Sequence, residues 1–297
     1  MPYILLSLAA IFWGGNYVVG NILVQYVDPY FLSLIRWGGT TILITALYWR
    51  TLRKDLPVLC KNMKFNILLS FLGQVSFPLT LYIGLQYTSS LNAAIYISST
   101  PCMVLIINHF IFKDQISYRN VLGVVSSTAG VIYMAISSAN GANKFALFGW
   151  GDILTILSAL SWAFYCALLR LKEKNVRNTS FVAFCSLIGT VILIPVYLLH
   201  SLFLHNSLGV IYSINTVSVL GTIFLIIFPS WLSYVFWSKG VSLIGTTRSE
   251  IYTHLIPLSG GLMGIVFLGN KPEIYHLITL ILIIFGIVCC SVQNQSN

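Results

Sequence analysis

A helix needs about 20 consecutive, mostly apolar residues to cross a bilayer. This 297-residue chain supplies such runs near 3–24, 30–50, 65–86, 90–112, 121–138, 149–170, 181–203, 217–238, 245–268 and 274–292. The connections between them are short and leave no room for a water-soluble domain. Spanning β-strands would need only about 9–11 residues of alternating polarity. Runs such as Leu277 to Cys290 are apolar on every side, so the expected fold is an all-α membrane protein with ten transmembrane helices. Composition agrees: 57% of residues are hydrophobic and 8% charged, with a mean hydropathy of +0.88. A soluble domain carries about 25% charged residues, and a disordered chain is poor in hydrophobic residues, so both classes are excluded. The first run has no basic stretch before it and contains Trp13, Asn16 and Asn21. It reads as a first span and not as a cleaved signal peptide.

The net charge of +9 comes from 16 Lys and Arg against 7 Asp and Glu. Twelve of the basic residues fall in connections on one side of the expected membrane, among them Arg50, Arg53, Lys54, Arg170, Lys172, Lys174 and Arg177, and two, Lys144 and Lys271, on the other. Cytoplasmic loops carry the excess of Lys and Arg, which places both termini in the cytoplasm and the chain in the cytoplasmic membrane. With no soluble basic domain, nucleic acid is not an expected partner. The cysteines, Cys60, Cys102, Cys166, Cys185, Cys289 and Cys290, have no metal-type spacing, so neither disulfides nor a bound metal or cofactor is expected.

Shifting the chain by 156 residues lays the second half on the first. Gly84 falls on Gly240, Ile95-Tyr96 on Ile251-Tyr252, Pro101 on Pro257 and Gly130 on Gly286. The first helices of the halves echo each other around Trp13 and Trp162. The halves, 1–138 and 149–292, are joined by a short external linker at 139–148. Five spans each is an odd number, so the two would enter the membrane in opposite orientations. Inverted repeats of this kind characterise secondary transporters, with the substrate site near the midplane between halves.

The stretch Gly84-Leu-Gln-Tyr-Thr-Ser-Ser-Leu-Asn-Ala-Ala, followed by Pro101, Phe112-Lys-Asp, Gly123 and Gly130, resembles the core of the EamA family of the drug/metabolite transporter superfamily. Trp13-Gly-Gly-Asn-Tyr17 and the Pro29 to Arg36 spacing are similar to its first two helices. The resemblance covers the whole chain in two copies. It implies a ten-helix transporter of small metabolites, commonly amino acids or related compounds, often moved outward. Family members often carry Glu after the fourth and ninth helices; here Asp114 and Asn270 stand there, which implies a topological or capping role.

Ionisable residues inside a bilayer are costly and are therefore functional candidates. On the fourth helix Asn92, Tyr96, Ser99 and Met103 are spaced to share one face. The repeat maps Asn92 onto Arg248 and Tyr96 onto Tyr252, so the ninth helix offers Arg248, Tyr252 and Ser259. Tyr96 and Tyr252 would frame a cavity, or serve as ordinary packing or interface aromatics. Arg248 suits a substrate carboxylate or snorkels to headgroups. Glu250 and His254 stand at i, i+4 and could carry a proton between them, or form an interhelical hydrogen bond. Arg36 reads as structural. Gln74 with Pro78, and Ser230 with Tyr234, recur at the same shift beside Pro229; paired proline interruptions point to the substrate site and hinge. Asn16, Tyr17, Trp162 and Tyr165 add polar and aromatic groups for stacking on a ligand. Gly260, Gly261 and Gly264 read as close helix contact.

An intramembrane enzyme is disfavoured. Seven acids leave little for paired-carboxylate chemistry, His200 and His205 lack zinc spacing, and no nucleophile-elbow or phosphate-binding motif occurs. The expected activity is a secondary transporter, an exporter working by alternating access. A facilitator, an exchanger or a channel-like permease is the alternative. Expected partners are a small-molecule substrate, the lipid bilayer and protons as coupling ion, for a monomer or homodimer.

Overall fold

Prolines and capping residues set where the rods begin, bend and end. In the computed structural model residues 1–139, 149–203, 214–268 and 274–291 are described, and every element among them is helical. The first half runs α1 (Pro2–Leu23), α2 (Pro29–Lys61), α3 (Met63–Ser70), a π-helical segment (Phe71–Ser76), α4 (Phe77–Gly84), α5 (Ser90–Ile97), α6 (Thr100–Phe112) and α7 (Tyr118–Ala139). The second runs α8 (Trp150–Leu169), α9 (Asn178–Phe203), α10 (Thr216–Leu225), a second π-helical segment (Ile226–Leu232), α11 (Ser233–Ile244), α12 (Thr246–Glu250), a 3₁₀ turn (Ile251–His254), α13 (Leu255–Leu268) and α14 (Ile274–Ser291). Among the described residues, seven helical stretches are long and apolar enough to cross a membrane: Pro2–Leu23, Pro29–Lys61, Met63–Gly84, Asn92–Phe112, Trp150–Leu169, Asn178–Phe203 and Thr216–Ile244. Lys144, His205, Asn270 and Lys271 lie outside the described residues, as does the linker from 140 on.

The start of α2 shows the local logic. Asp28 caps it, its carboxylate accepting from the backbone N–H groups of Tyr30 (2.9 Å) and Phe31 (3.1 Å), while Pro29 occupies a first-turn position where no N–H is needed. The far end differs from the sequence expectation. The helix was expected to stop near residue 50 but runs on to Lys61, across a kink at Tyr48. Beyond the kink Leu52 and Leu59 are buried and Arg53 and Lys54 exposed. The extension is amphipathic, as suits a helix leaving an apolar environment.

Proline removes an N–H and frees the carbonyl four residues earlier. Pro101 frees the Ile97 carbonyl, which accepts instead from Thr100 Oγ1 at 2.7 Å. Pro229 frees that of Leu225, which accepts from Ser230 Oγ at 2.7 Å. The helix between α5 and α6 breaks at Ser98–Ser99, and the one containing Pro257 breaks at the 3₁₀ turn just before it.

Helix pairing follows small residues. The helix α1 packs on α11 and α13, and α8 on α4 and α6; α2 pairs with α9, and α7 with α14. A Cβ built on Gly14 of α1 would fall 2.8 Å from the Ile256 carbonyl oxygen and 2.9 Å from the Gly260 nitrogen on α13. A Cβ on Gly286 of α14 would likewise meet the Gly123 carbonyl and Ser127 of α7. Backbone atoms cannot swing aside, so these crossings need glycine. Gly14→Ala is expected to cost about 1–3 kcal/mol by overpacking. The check is the thermal midpoint of the detergent-purified protein; an unchanged midpoint would mean that α1 and α13 sit farther apart.

Candidate functional site

Two tryptophans meet at the centre of the molecule. Trp13 of α1 and Trp162 of α8 lie edge to face with ring centroids 4.8 Å apart. Around them stand Tyr234 (5.9 Å from Trp13, 5.7 Å from Trp162) and Trp237 (5.1 and 5.9 Å) from α11. Phe77 and Tyr165 lie 5.0 and 5.1 Å from Trp162. Edge-to-face pairs, as for Trp13 with Trp162, and offset-stacked ones, as for Trp162 with Tyr165, are the favoured arrangements of aromatic quadrupoles at these distances. The hub is tied to both π-helical segments. Trp13 Nε1 donates to the Pro229 carbonyl (2.9 Å), and the Tyr234 hydroxyl donates to that of Gly73 (2.5 Å). A π segment leaves carbonyls without their usual α-helical partners, and these side chains supply donors to them. All six rings are buried, so the centre is closed in this conformation.

One flank of the hub is cationic. Arg36 is fully buried. Its Nε donates to Ser230 Oγ (2.5 Å), and its Nη1 to Tyr82 Oη (2.6 Å) and Asn16 Oδ1 (3.2 Å). Tyr82 also donates to Asn16 Oδ1 at 2.8 Å. The guanidinium carbon lies 5.4 Å from the Trp37 ring and 5.6 Å from that of Tyr82. Arg36 has no ion pair among the described residues.

The other flank is acidic. Glu250, 1% exposed, has neither carboxylate oxygen in hydrogen-bonding geometry with a partner among the described residues. The polar groups facing it are Cys166, Thr100 and Trp162. The expected contact with His254 is not made. Residues 251–254 form a 3₁₀ turn ahead of Pro257, and at three residues per turn positions i and i+4 no longer stack. His254 turns to α7 instead, its Nε2 lying 3.4 Å from Thr128 Oγ1.

Beyond Glu250 a cavity of about 800 Å³ opens at the end where the connections are basic. Its walls carry Arg170, Lys172, Lys174, Arg177 and Arg248, and one acid, Asp114. Asp114 is paired with Arg170 at 2.6 Å, which leaves the mouth strongly positive. Burial holds the Lys172 ammonium below the ordinary lysine value, and its Nζ donates to the Val176 carbonyl at 3.0 Å. Gly245, at φ +83°, makes the turn from α11 into α12 at the rim. Asn108 ties that turn to α6, donating to Thr246 (3.0 Å) and Thr247 (2.9 Å).

Of the residues singled out from the sequence, the hub and its cationic flank hold Asn16, Trp162, Tyr165, Ser230 and Tyr234. Tyr17 is buried beside Tyr82, Tyr234 and Arg36. Gln74 faces Tyr165, its amide nitrogen oriented toward the Leu69 and Ser70 carbonyls (3.2 and 3.1 Å). Pro78 is buried in the first turn of α4. Asn92 lies outside the hub, donating to Thr88 Oγ1 (3.3 Å) and, from its backbone, to Ser89 Oγ (3.1 Å) in the cap of α5. The break at Ser98–Ser99 also interrupts the face expected from Asn92 to Met103. Tyr96 and Tyr252 are not brought together. Tyr96 faces Asp152 at the start of α8, whereas Tyr252 stacks on Tyr3 at the start of α1, 6.3 Å away. Arg248 belongs to the basic mouth, and Ser259 to the α1–α13 crossing, where its hydroxyl donates to the Ile256 carbonyl at 3.0 Å. Arg36, Tyr82, Trp13, Trp237 and Cys166 complete the site without having been assigned to it from sequence. Arg36 had a sequence signal, a charge inside an apolar run, and Trp13 another, its echo of Trp162 between the halves.

The chain matches the EamA-like transporter family over residues 1–136 and 149–292. It is 27% identical over 292 residues to "Uncharacterized transporter YyaM" of Bacillus subtilis, covering 97% of this chain and 93% of that one. It is 24% identical over 286 residues to "Probable amino-acid metabolite efflux pump" of Salmonella typhimurium, covering 94% and 91%. A solved crystal structure superposes with a TM-score of 0.75 at 16% identity, covering 97% of this chain and 95% of that one, a likeness of fold.

Proposed function

The chain belongs to the EamA-like transporter family, and from that premise we propose that it is a secondary transporter exporting small polar metabolites, amino acids among them, by alternating access. Ten spans in two inverted five-helix repeats are the frame of this reading. The observation that carries it is that both halves interrupt their helices at matching positions around one aromatic centre. The 156-residue shift carries the first π segment onto 227–232, inside the second, and carries the break at Ser98–Ser99 onto 254–255, at the end of the 3₁₀ turn. The helix pairing is itself symmetric under exchange of halves. The first span packs on the eighth and ninth, the sixth on the third and fourth, the second on the seventh and the fifth on the tenth.

Broken helices at a repeat interface are where transporters bind substrate and hinge. Rocking one half against the other would open the hub to either side in turn. The excess of Lys and Arg supports a cytoplasmic position for the basic mouth, where its positive field would raise the local concentration of anionic solutes and steer them inward. The relative from Salmonella typhimurium named for amino-acid metabolite efflux supports the substrate class and the direction. Glu250, between mouth and hub, is the candidate proton carrier.

The test loads proteoliposomes with a mixed pool of amino acids and related metabolites and follows depletion by mass spectrometry, with and without a pH gradient. Selective depletion of amino-acid-like solutes that saturates with concentration is the expected result. Non-saturating flux would indicate a channel-like permease. No depletion by correctly inserted protein would overturn the proposal.

A further inference from the structure

We propose that Arg36, Asn16 and the Trp37 indole form a carboxylate-binding subsite, so that the transported metabolite carries a carboxylate that completes this cluster. The inference rests on the transporter reading and adds the anionic group that the substrate presents. Arg36 brings a full positive charge into the interior with no ion pair among the described residues, and burying an unpaired charge is costly. Its Nε and Nη1 are held by Ser230, Tyr82 and Asn16, but Nη2 has no partner. Asn16, whose Oδ1 accepts from both Arg36 and Tyr82, leaves its own Nδ2 unpartnered. Trp37, whose ring lies beside the guanidinium, leaves Nε1 unpartnered.

Three unpartnered donors therefore lie on or beside the buried guanidinium, and the Asn16, Tyr82 and Ser230 oxygens already accept from Arg36. Buried polar groups in native proteins are nearly always paired, so the missing partner is an acceptor, and beside a guanidinium an anionic one. A guanidinium edge matches a carboxylate in a planar, two-point geometry. The neighbouring hub is apolar and aromatic, with Tyr234 5.0 Å from the Trp37 ring, so the rest of such a ligand would lie against rings.

Asn16→Asp tests this with almost no change of shape. It places a carboxylate against Arg36 from within the protein and so competes with the ligand's own. The purified full-length protein is melted in acetate, in acetamide of matched size and in sodium chloride of matched ionic strength. Acetate is expected to raise the wild-type midpoint above both controls and to leave Asn16→Asp and Arg36→Gln unmoved. The unliganded Asn16→Asp protein is expected to melt above wild type, because Arg36 has gained its partner. In proteoliposomes Asn16→Asp is expected to lose about 10- to 100-fold of the flux of carboxylate solutes, the range set by hydrogen bonds to charged groups. Arg36→Gln risks misfolding, but Asn16→Asp keeps the guanidinium and its other bonds. Equal effects of acetate and acetamide on the wild type would overturn the subsite, as would full carboxylate flux through Asn16→Asp. Wild-type flux confined to neutral solutes would overturn the subsite and leave the transporter standing. Absence of any flux would overturn the transporter reading, and the melting arms would still decide the subsite.

Discussion

Glu250→Gln, reconstituted in vesicles, is expected to transport at a rate indifferent to a pH gradient to which the wild type responds. Glu250 is buried at the boundary between the basic mouth and the aromatic hub, with no hydrogen bond to either carboxylate oxygen and no cationic partner among the described residues. Charged, it would bear a desolvation cost that the neutral groups facing it, Cys166, Thr100 and Trp162, only partly offset; binding a proton removes that cost. A group in this position can therefore couple its proton to opening of the mouth. Glutamine has the same shape and is permanently neutral, so it mimics one protonation state and removes the cycle between the two. Coupling one proton to each substrate allows accumulation to change by up to about tenfold per pH unit, and the variant should show a ratio of about one. His254→Asn serves as the comparison. His254 faces Thr128 on α7 and makes no ion pair with Glu250, so this variant is expected to keep the response. A Glu250→Gln protein that still follows the gradient would remove Glu250 from the coupling mechanism.

The difference between those two residues shows where sequence reasoning reached its limit. Apolar runs long enough to span a bilayer are legible because each is a local property of some 20 consecutive residues. Prolines are legible too: each frees a known carbonyl, and the hydroxyls of Thr100 and Ser230 stand next to Pro101 and Pro229 to receive it. The pairing of Glu250 with His254 assumed an unbroken α-helix, and the 3₁₀ turn before Pro257 removes that assumption. The two tyrosines expected to frame a cavity, Tyr96 and Tyr252, meet a different limit. Each found its partner at the start of the other half's first helix, Asp152 for Tyr96 and Tyr3 for Tyr252. Arg36 shows the third kind of limit. Its charge is plain in the sequence, but its partners Asn16, Tyr82 and Ser230 are 20, 46 and 194 residues away. No local pattern joins them; only packing of α1, α2, α4 and the second π segment does.

Trp162→Ala is expected to give the largest loss of stability of any single change in the hub, together with loss of transport. Trp162 contacts five rings, those of Trp13, Phe77, Tyr165, Tyr234 and Trp237, with centroids 4.8 to 5.9 Å away. Inside a bilayer there is little hydrophobic gain from burying a side chain, because lipid is as apolar as the core. The stabilisation comes from dispersion and from edge-to-face geometry, and both vanish when the indole is removed and its neighbours relax only partly. Truncation of a packed tryptophan costs about 3–5 kcal/mol, enough to lower the thermal midpoint of the purified protein by many degrees. Trp162→Phe separates packing from function. It restores most of the volume and can keep an edge against Trp13 and Tyr234, so it is expected to cost clearly less than Trp162→Ala. Flux through it should nevertheless fall, because the indole that also faces the Glu250 carboxylate is gone. Thermal midpoints by size exclusion and flux on the same preparations would check both statements. A Trp162→Ala protein that melts with the wild type would show that the rings do not form one packed unit. A Trp162→Phe protein with undiminished flux would reduce Trp162 to a packing element and move the site of transport away from it.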